Sequence, residues 1–229
     1  MNIISTIKNL RRYSLHNELK PPKSWRPKNG DVIFMGGVWK RGTLVNMSKL
    51  VGSKGKVIAC EANPISYKNI MDQGINRINV TYINKALWNC KSTMQFEATV
   101  NEYHGFDKLV DPSIPFGFPK NLTDSQTIEV QCDTIDSILE GENCKVLDYM
   151  ELTINGAECE ALNGAKDIIK NSPNIVIKVM SVNPKPLDGL LEIFLDWKMD
   201  IVVRYAKNAQ LNNKSIILAG VWAKKRNDI

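Results

Sequence analysis

From Asp31 onward, short apolar runs alternate with amphipathic stretches for almost two hundred residues, and this alternation leaves few folds open to the chain. VIF at Val32 to Phe34, KVIAC at Lys56 to Cys60, NVTYIN at Asn79 to Asn84, CKVLDYMEL at Cys144 to Leu152 and NIVIKVM at Asn174 to Met180 read as buried strands. Between them lie helical segments at Thr43 to Val51, Pro64 to Gln73, Thr134 to Leu139 and Ala157 to Lys170. A further helix is marked by Leu187, Leu190, Leu191, Phe194 and Leu195 at i, i+3, i+4, i+7 and i+8. IVVRYA and SIILAGVWA follow across a short polar loop and read as an antiparallel edge hairpin. The expected fold is α/β: a doubly wound, mostly parallel Rossmann-like sheet with helices on both faces and that hairpin at one edge.

Two segments interrupt the pattern. Residues 1–29 read as a helix over Ile3 to Leu15, then a connector broken by Pro21, Pro22 and Pro27 and ending in a turn at Asn29-Gly30. Residues 30–229 form the Rossmann-like domain, with an irregular insertion at about 99–126 that holds Pro112, Pro115 and Pro119. STMQFEA and TIEVQC, on either side of the insertion, alternate enough to be strands.

Charge and cysteines narrow the classes further. Residues 1–41 carry nine Lys/Arg against two acids, so the net charge of +6 belongs to an N-terminal arm and not to a basic domain. Such an arm suits an acidic protein or an anionic surface, and without interleaved aromatics nucleic acid is not expected as a partner. Five cysteines without a CxxC pair, with only His16 and His104 beside them, give no metal site. Buried or half-buried free thiols in a reducing, cytoplasmic setting are expected. The apolar run from Ile216 to Ala223 is eight residues, far short of a membrane span, and Lys8, Arg11 and Arg12 break the N-terminal apolar stripe, so no secretory signal is expected.

In a doubly wound sheet, ligands bind at the carboxyl ends of the strands. Glu61, closing the second strand, is placed to accept both hydroxyls of a ribose. GDVIFMGG, LVGSKGKVIACEANP, INKALWNCKSTMQF, VQCDTIDSILEG and LDYMELTINGAECEALNGAKDIIK resemble, in order and spacing, the FkbM family of S-adenosylmethionine-dependent methyltransferases. The resemblance implies a class I methyltransferase fold and methyl transfer from S-adenosylmethionine to a hydroxyl of a small molecule or glycan. It implies that Gly36 and Gly37 admit the cofactor, that Glu61 binds its ribose with Asn63 beside it, and that Glu158 or His104 assists the acceptor. Where the family ends its first strand in Asp, this chain has Met35. Its D-x-E-G-A-E motif reads Thr153-Ile154-Asn155-Gly156-Ala157-Glu158, and Trp39 stands in the cofactor loop. Glu151, two residues before Thr153, is a candidate replacement carboxylate. These departures leave open a second reading, a catalytically inactive binding or assembly module that uses the basic arm. A third is an adenosine-containing ligand whose phosphate meets Lys40 and Arg41 at a helix N-terminus.

Overall fold

The computed structural model describes residues 21–38, 40–99, 107–111, 125–182, 185–211 and 214–226, the backbone alone at 181–182, 185–188, 205–211 and 214–218. The N-terminal helix expected over Ile3 to Leu15, with His16, lies outside them, as do Trp39 and His104. After a 3-10 turn at Lys23–Trp25 the elements run β1 Val32–Gly36, α1 Arg41–Val51, β2 Lys56–Cys60, α2 Pro64–Asp72 and β3 Val80–Ile83. The segment that follows contains β4 Ala86–Leu87, β5 Ser92–Thr99, β6 Lys108–Leu109 and β7 Ser125–Asp133. The chain then returns through α3 Ile135–Gly141, β8 Tyr149–Leu152, α4 Glu158–Asn163, α5 Lys166–Asn171 and β9 Val176–Val182. It closes with α6 Lys185–Asp196, β10 Met199–Leu211 and β11 Lys214–Lys225.

Seven strands form the main sheet in the order β10-β11-β9-β8-β1-β2-β3. β9, β8, β1, β2 and β3 are parallel, while β11 runs antiparallel to both its neighbours. β1 is central and buried on both faces, which is why it reads as an unbroken apolar run. Phe34 packs with Ile58, Met150 and Leu152 in one core cluster, and Ile33 and Met35 pack with Val57, Ala59 and Tyr82 in the other. The chain reverses its winding between β1 and β8, so the crevice for a ligand opens at their carboxyl ends.

Three expectations need correction. The CKVLDYMEL run pairs as a strand only from Tyr149. Asp148 still makes backbone bonds to Val32 and Val176, both at 3.0 Å, and its Oδ2 accepts the Val32 amide at 2.8 Å; at Leu147 a side chain takes over, Ser172 Oγ accepting its amide at 2.8 Å. The helix expected over Ala157 to Lys170 is two helices, because Gly164 is drawn out of line by tertiary contacts. Its carbonyl accepts the Asp136 amide at 2.9 Å, and a Cβ there would lie 2.4 Å from the Trp88 carbonyl oxygen. The Asp136 carboxylate then caps α5 through the amides of Asp167 and Ile168. Finally, the insertion is not wholly irregular, since β6 at Lys108–Leu109 lies within it and adds to β5; the strands expected on either side of it, β5 and β7, pair antiparallel from Ser92↔Cys132 to Thr99↔Ser125. With β4 they form a second sheet, ordered β4-β7-β5-β6, around Phe96, Leu109 and Val130.

Among the described residues, no helix is long and apolar enough to cross a membrane, and no group of His, Cys, Asp and Glu could hold a metal. All five cysteines are free; Cys60 and Cys132 are buried, whereas Cys90 is exposed, contrary to expectation. One prediction concerns the core. Ser172 Oγ, fully buried, also donates to the Ile168 carbonyl at 2.6 Å. Ser172→Ala leaves the Leu147 amide unpaired and is expected to cost about 1–3 kcal/mol in a denaturant titration.

Candidate functional site

A cavity of about 50 Å³ lies where the second sheet meets the carboxyl ends of β1, β2 and β8. Gly37, Glu61, Lys85, Asp107, Thr153 and Asn155 line it, and Phe96 and Leu109 close it from the second sheet. Each of the three strands contributes by ending there. β1 turns at Gly37, whose φ of 79° is the left-handed region that favours glycine. A Cβ at that position would sit 2.1 Å from the Thr153 carbonyl oxygen, so β1 and β8 meet backbone to backbone. Gly36 is enclosed by side chains: an added Cβ would lie 2.6 Å from Leu87 Cδ1 and 3.0 Å from Leu152 Cδ2.

Glu61 is 5% exposed and faces the cavity from the end of β2. Its Oε1 accepts the Asn63 amide at 2.8 Å. Burial pushes its carboxyl up to about 8, Asp107 adds repulsion, and the amides of Asn63 and Ala62 oppose the shift. Asn63 does not line the cavity. It caps α2 by accepting the Ile65 amide at 2.9 Å, with Pro64 next to it at the first helical position. Its Nδ2 donates to Asp107 Oδ2 at 2.7 Å.

Asp107 is the residue that sequence reasoning missed. Its Oδ1 accepts the Thr99 amide at 2.7 Å and the Thr99 hydroxyl, while its carbonyl accepts Asn155 Nδ2 at 2.7 Å. It therefore clamps the turn after β2 and the turn after β8 to the insertion. Asn155 holds its own turn in a left-handed conformation, with φ at 56°. Lys85, just before β4, brings a cation to the cavity wall.

Glu158 is 1% exposed and lies behind the cavity, outside its lining. It accepts the amides of Gly156 at 2.8 Å and Ile154 at 3.2 Å, which ties down the turn from Thr153 to Ala157. Burial raises its carboxyl to about 7 against the pull of these backbone amides. Met35, 2% exposed, points into the core cluster with Val38 and Leu44, so β1 brings no carboxylate to the cavity. Nor does Glu151 replace one: it pairs with Lys178 on β9 at 2.7 Å. Of the residues singled out in the sequence, the structure therefore brings Gly37, Glu61, Thr153 and Asn155 to one cavity, with Gly36, Asn63 and Glu158 supporting its walls.

A parallel sheet with a reversed penultimate strand, and an acid at the end of β2 beside the β1 turn, define the class I methyltransferase fold. The family model described as the methyltransferase FkbM domain matches residues 35–200, and the chain belongs to that family. By family it is a methyltransferase, with the fold of the class I methyltransferases. Among solved structures, it is similar to a precorrin-6y methyltransferase from Geobacter metallireducens at 15% identity, covering 88% of this chain and 84% of that one with a TM-score of 0.52. It is also similar to an S-adenosylmethionine-dependent methyltransferase from Aquifex aeolicus at 15% identity, covering 98% of both chains with a TM-score of 0.49. No protein of curated function matches the sequence.

Proposed function

We propose that the cavity takes the nucleoside end of S-adenosylmethionine and that the protein transfers a methyl group to a hydroxyl of a small molecule or glycan. The observation that carries this reading is the buried Glu61 carboxylate at the end of β2, facing a cavity bounded by Gly37. An ionised carboxylate accepts only, so it suits two ribose hydroxyls, and it offers nothing to an anion. The donors and acceptors present fit the nucleoside end. At the cationic end, with Met35 in the core and Thr153 and Asn155 neutral, the acid left on the cavity wall beside Glu61 is Asp107. The cavity is partly open to solvent, so a ligand larger than its enclosed part can extend outward from Glu61.

When bound, S-adenosylmethionine supplies an electrophilic methyl on a sulfonium. The chain's own residues bind and enclose. Glu61 orients the ribose, Gly37 leaves room for close backbone approach, and Phe96 and Leu109 exclude water. Glu158 and Asn155 fix the turn after β8. The acceptor's proton is assigned to His104 by its place in the sequence, three residues before Asp107.

The raised Glu61 carboxyl gives this site a pH signature. Its ordinary value is 4.5 and its folded value about 8, so between these the folded protein holds a proton that the unfolded chain has lost. Unliganded stability is fully present below about pH 4.5 and falls as pH rises towards about 8. Cofactor affinity runs the other way, increasing as Glu61 ionises. A calorimetric series is expected to show binding that tightens through about pH 8, and Asp107→Asn, which removes the repulsion, is expected to move that midpoint to lower pH.

Incubation with methyl-labelled S-adenosylmethionine and parallel sets of hydroxylated small molecules, glycans, peptides and RNA tests the acceptor class. Label is expected in the first two sets as an alkali-stable ether. Label confined to peptide or RNA, or released by alkali as from a methyl ester, overturns the reading.

A further inference from the structure

The end of the main sheet opposite the cofactor cavity has an uneven surface of its own. Parallel strands joined by helices all start at one edge, and the helices between them run back and end there. Arg26 before β1, Lys54 before β2, Arg77 before β3, Lys145 before β8, Lys170 before β9 and Lys198 before β10 therefore share that edge. All six are exposed, and none has an ion pair among the described residues. Most acids at this end are already occupied. Glu142 pairs with Lys56 at 3.0 Å, Asp200 with Arg226 at 2.8 Å and Asp72 with Lys68 at 2.5 Å. Asp31 and Asp148 accept the amides of Lys28 and Val32, both at 2.8 Å, which leaves Glu140 and Asp196 as the exposed acids.

A second and independent observation concerns apolar side chains. Six large ones stand exposed among the described residues, and five of them lie at this end. Leu50, Met71 and Leu195 sit in the last turns of α1, α2 and α6, the fully exposed Ile78 precedes β3, and Val146 precedes β8. The seven strands spread these groups over roughly 30 Å, at about 4.8 Å per strand. Exposed apolar side chains set among unpaired cations match a surface that offers negative charge and an apolar phase together, which is the interface of an anionic bilayer.

The start of the chain fits the same surface. The Gly30 amide donates to the Val51 carbonyl at 2.8 Å, so the connector reaches β1 at this edge. Residues 1–20, which precede it, repeat the mixture, with an apolar stripe from Ile3 to Leu10 and the cations Lys8, Arg11 and Arg12. Like charge opposes this segment folding back over the edge. We propose that the edge docks on the surface of an anionic lipid bilayer, with Ile78 and its apolar neighbours among the headgroups and the unpaired Lys and Arg on lipid phosphates. The cofactor cavity then faces water, and the docking does not depend on the ligand read for that cavity.

The test sediments the full chain with vesicles of phosphatidylcholine alone and of equal parts phosphatidylcholine and phosphatidylglycerol, with soluble polyglutamate as a second polyanion. Binding is expected to the mixed vesicles and not to the neutral ones, and it weakens as salt screens the charges. Polyglutamate is expected to bind more weakly, because it offers no apolar phase. Lys54→Glu combined with Lys145→Glu is expected to lower vesicle affinity at least tenfold, and Ile78→Ser combined with Leu195→Ser severalfold. Both double variants replace exposed side chains, so their melting temperatures are expected to match the wild type. Lys91→Glu, in the turn between β4 and β5, is the control and is expected to bind as the wild type does. No binding to mixed vesicles, equal binding to neutral ones, or full affinity in both double variants overturns the proposal. Polyglutamate bound as tightly as the mixed vesicles would assign the edge to an acidic protein instead. A dimer in light scattering that the double serine variant dissociates would assign it to a second copy of the chain, and either result also overturns the proposal.

Discussion

Glu61→Ala is expected to weaken S-adenosylmethionine binding at least a hundredfold at a pH above 8, while the unliganded protein melts no lower than the wild type. Two hydrogen bonds to an ionised acceptor are each worth about 1.5–3 kcal/mol, so losing both exceeds two decades in affinity. The stability half of the prediction sets the cost of burying a charge against the loss of the Asn63 amide bond at 2.8 Å, and the first is the larger. The carboxyl is pushed up to about 8 chiefly because its charged form is desolvated, with Asp107 adding to the cost. Removing an acid that must ionise in that setting relieves the folded state at alkaline pH. Glu61→Gln keeps one acceptor and is expected to fall between the two. Calorimetry with a thermal melt on the same samples checks both halves. Full affinity in Glu61→Ala would contradict the site; loss of affinity together with loss of fold would assign Glu61 a structural role only.

Gly37→Ala is expected to lose about 3–5 kcal/mol of stability, at the far end of single-substitution effects, and to lose cofactor binding with it. Two costs add. A left-handed φ of 79° is strained for any residue with a side chain, and the new Cβ would sit 2.1 Å from the Thr153 carbonyl oxygen. The backbone has little freedom to yield. The Gly37 amide donates to the Cys60 carbonyl at 2.9 Å, and the Thr153 amide donates to the Gly36 carbonyl at 3.0 Å. Moving Gly37 therefore disturbs β1, β2 and β8 together, at the point where the cavity is built. Gly141→Ala is the control, since nothing lies within 4 Å of the added Cβ. Denaturant midpoints for the two variants measure the contrast, and equal midpoints would contradict the close packing of β1 on β8.

What was legible in the sequence was local. KVIAC runs from Lys56 to Cys60 as β2 in both readings, since a short apolar run closed by an acid and followed by Asn63-Pro64 carries its own boundaries. The edge hairpin was equally plain. The second sheet was not read as a unit, because β5 and β7 pair across a segment whose composition says only turn and loop. The break at Gly164 depends on the Trp88 carbonyl, far away in the chain. Asp107 shows the same limit at the site: its partners Asn63 and Asn155 are 44 and 48 residues distant, and no spacing rule connects them. Glu158 was visible as an acid in a helical first turn, but its hold on the amides of Ile154 and Gly156 is visible only in the fold.

The most direct measurement is a crystal structure of the chain soaked or grown with S-adenosylhomocysteine. Both ribose hydroxyls are expected within hydrogen-bond distance of the Glu61 carboxylate, with Gly37 against the ligand. The ligand bound elsewhere, or bound with its ribose hydroxyls out of reach of Glu61, would contradict the site.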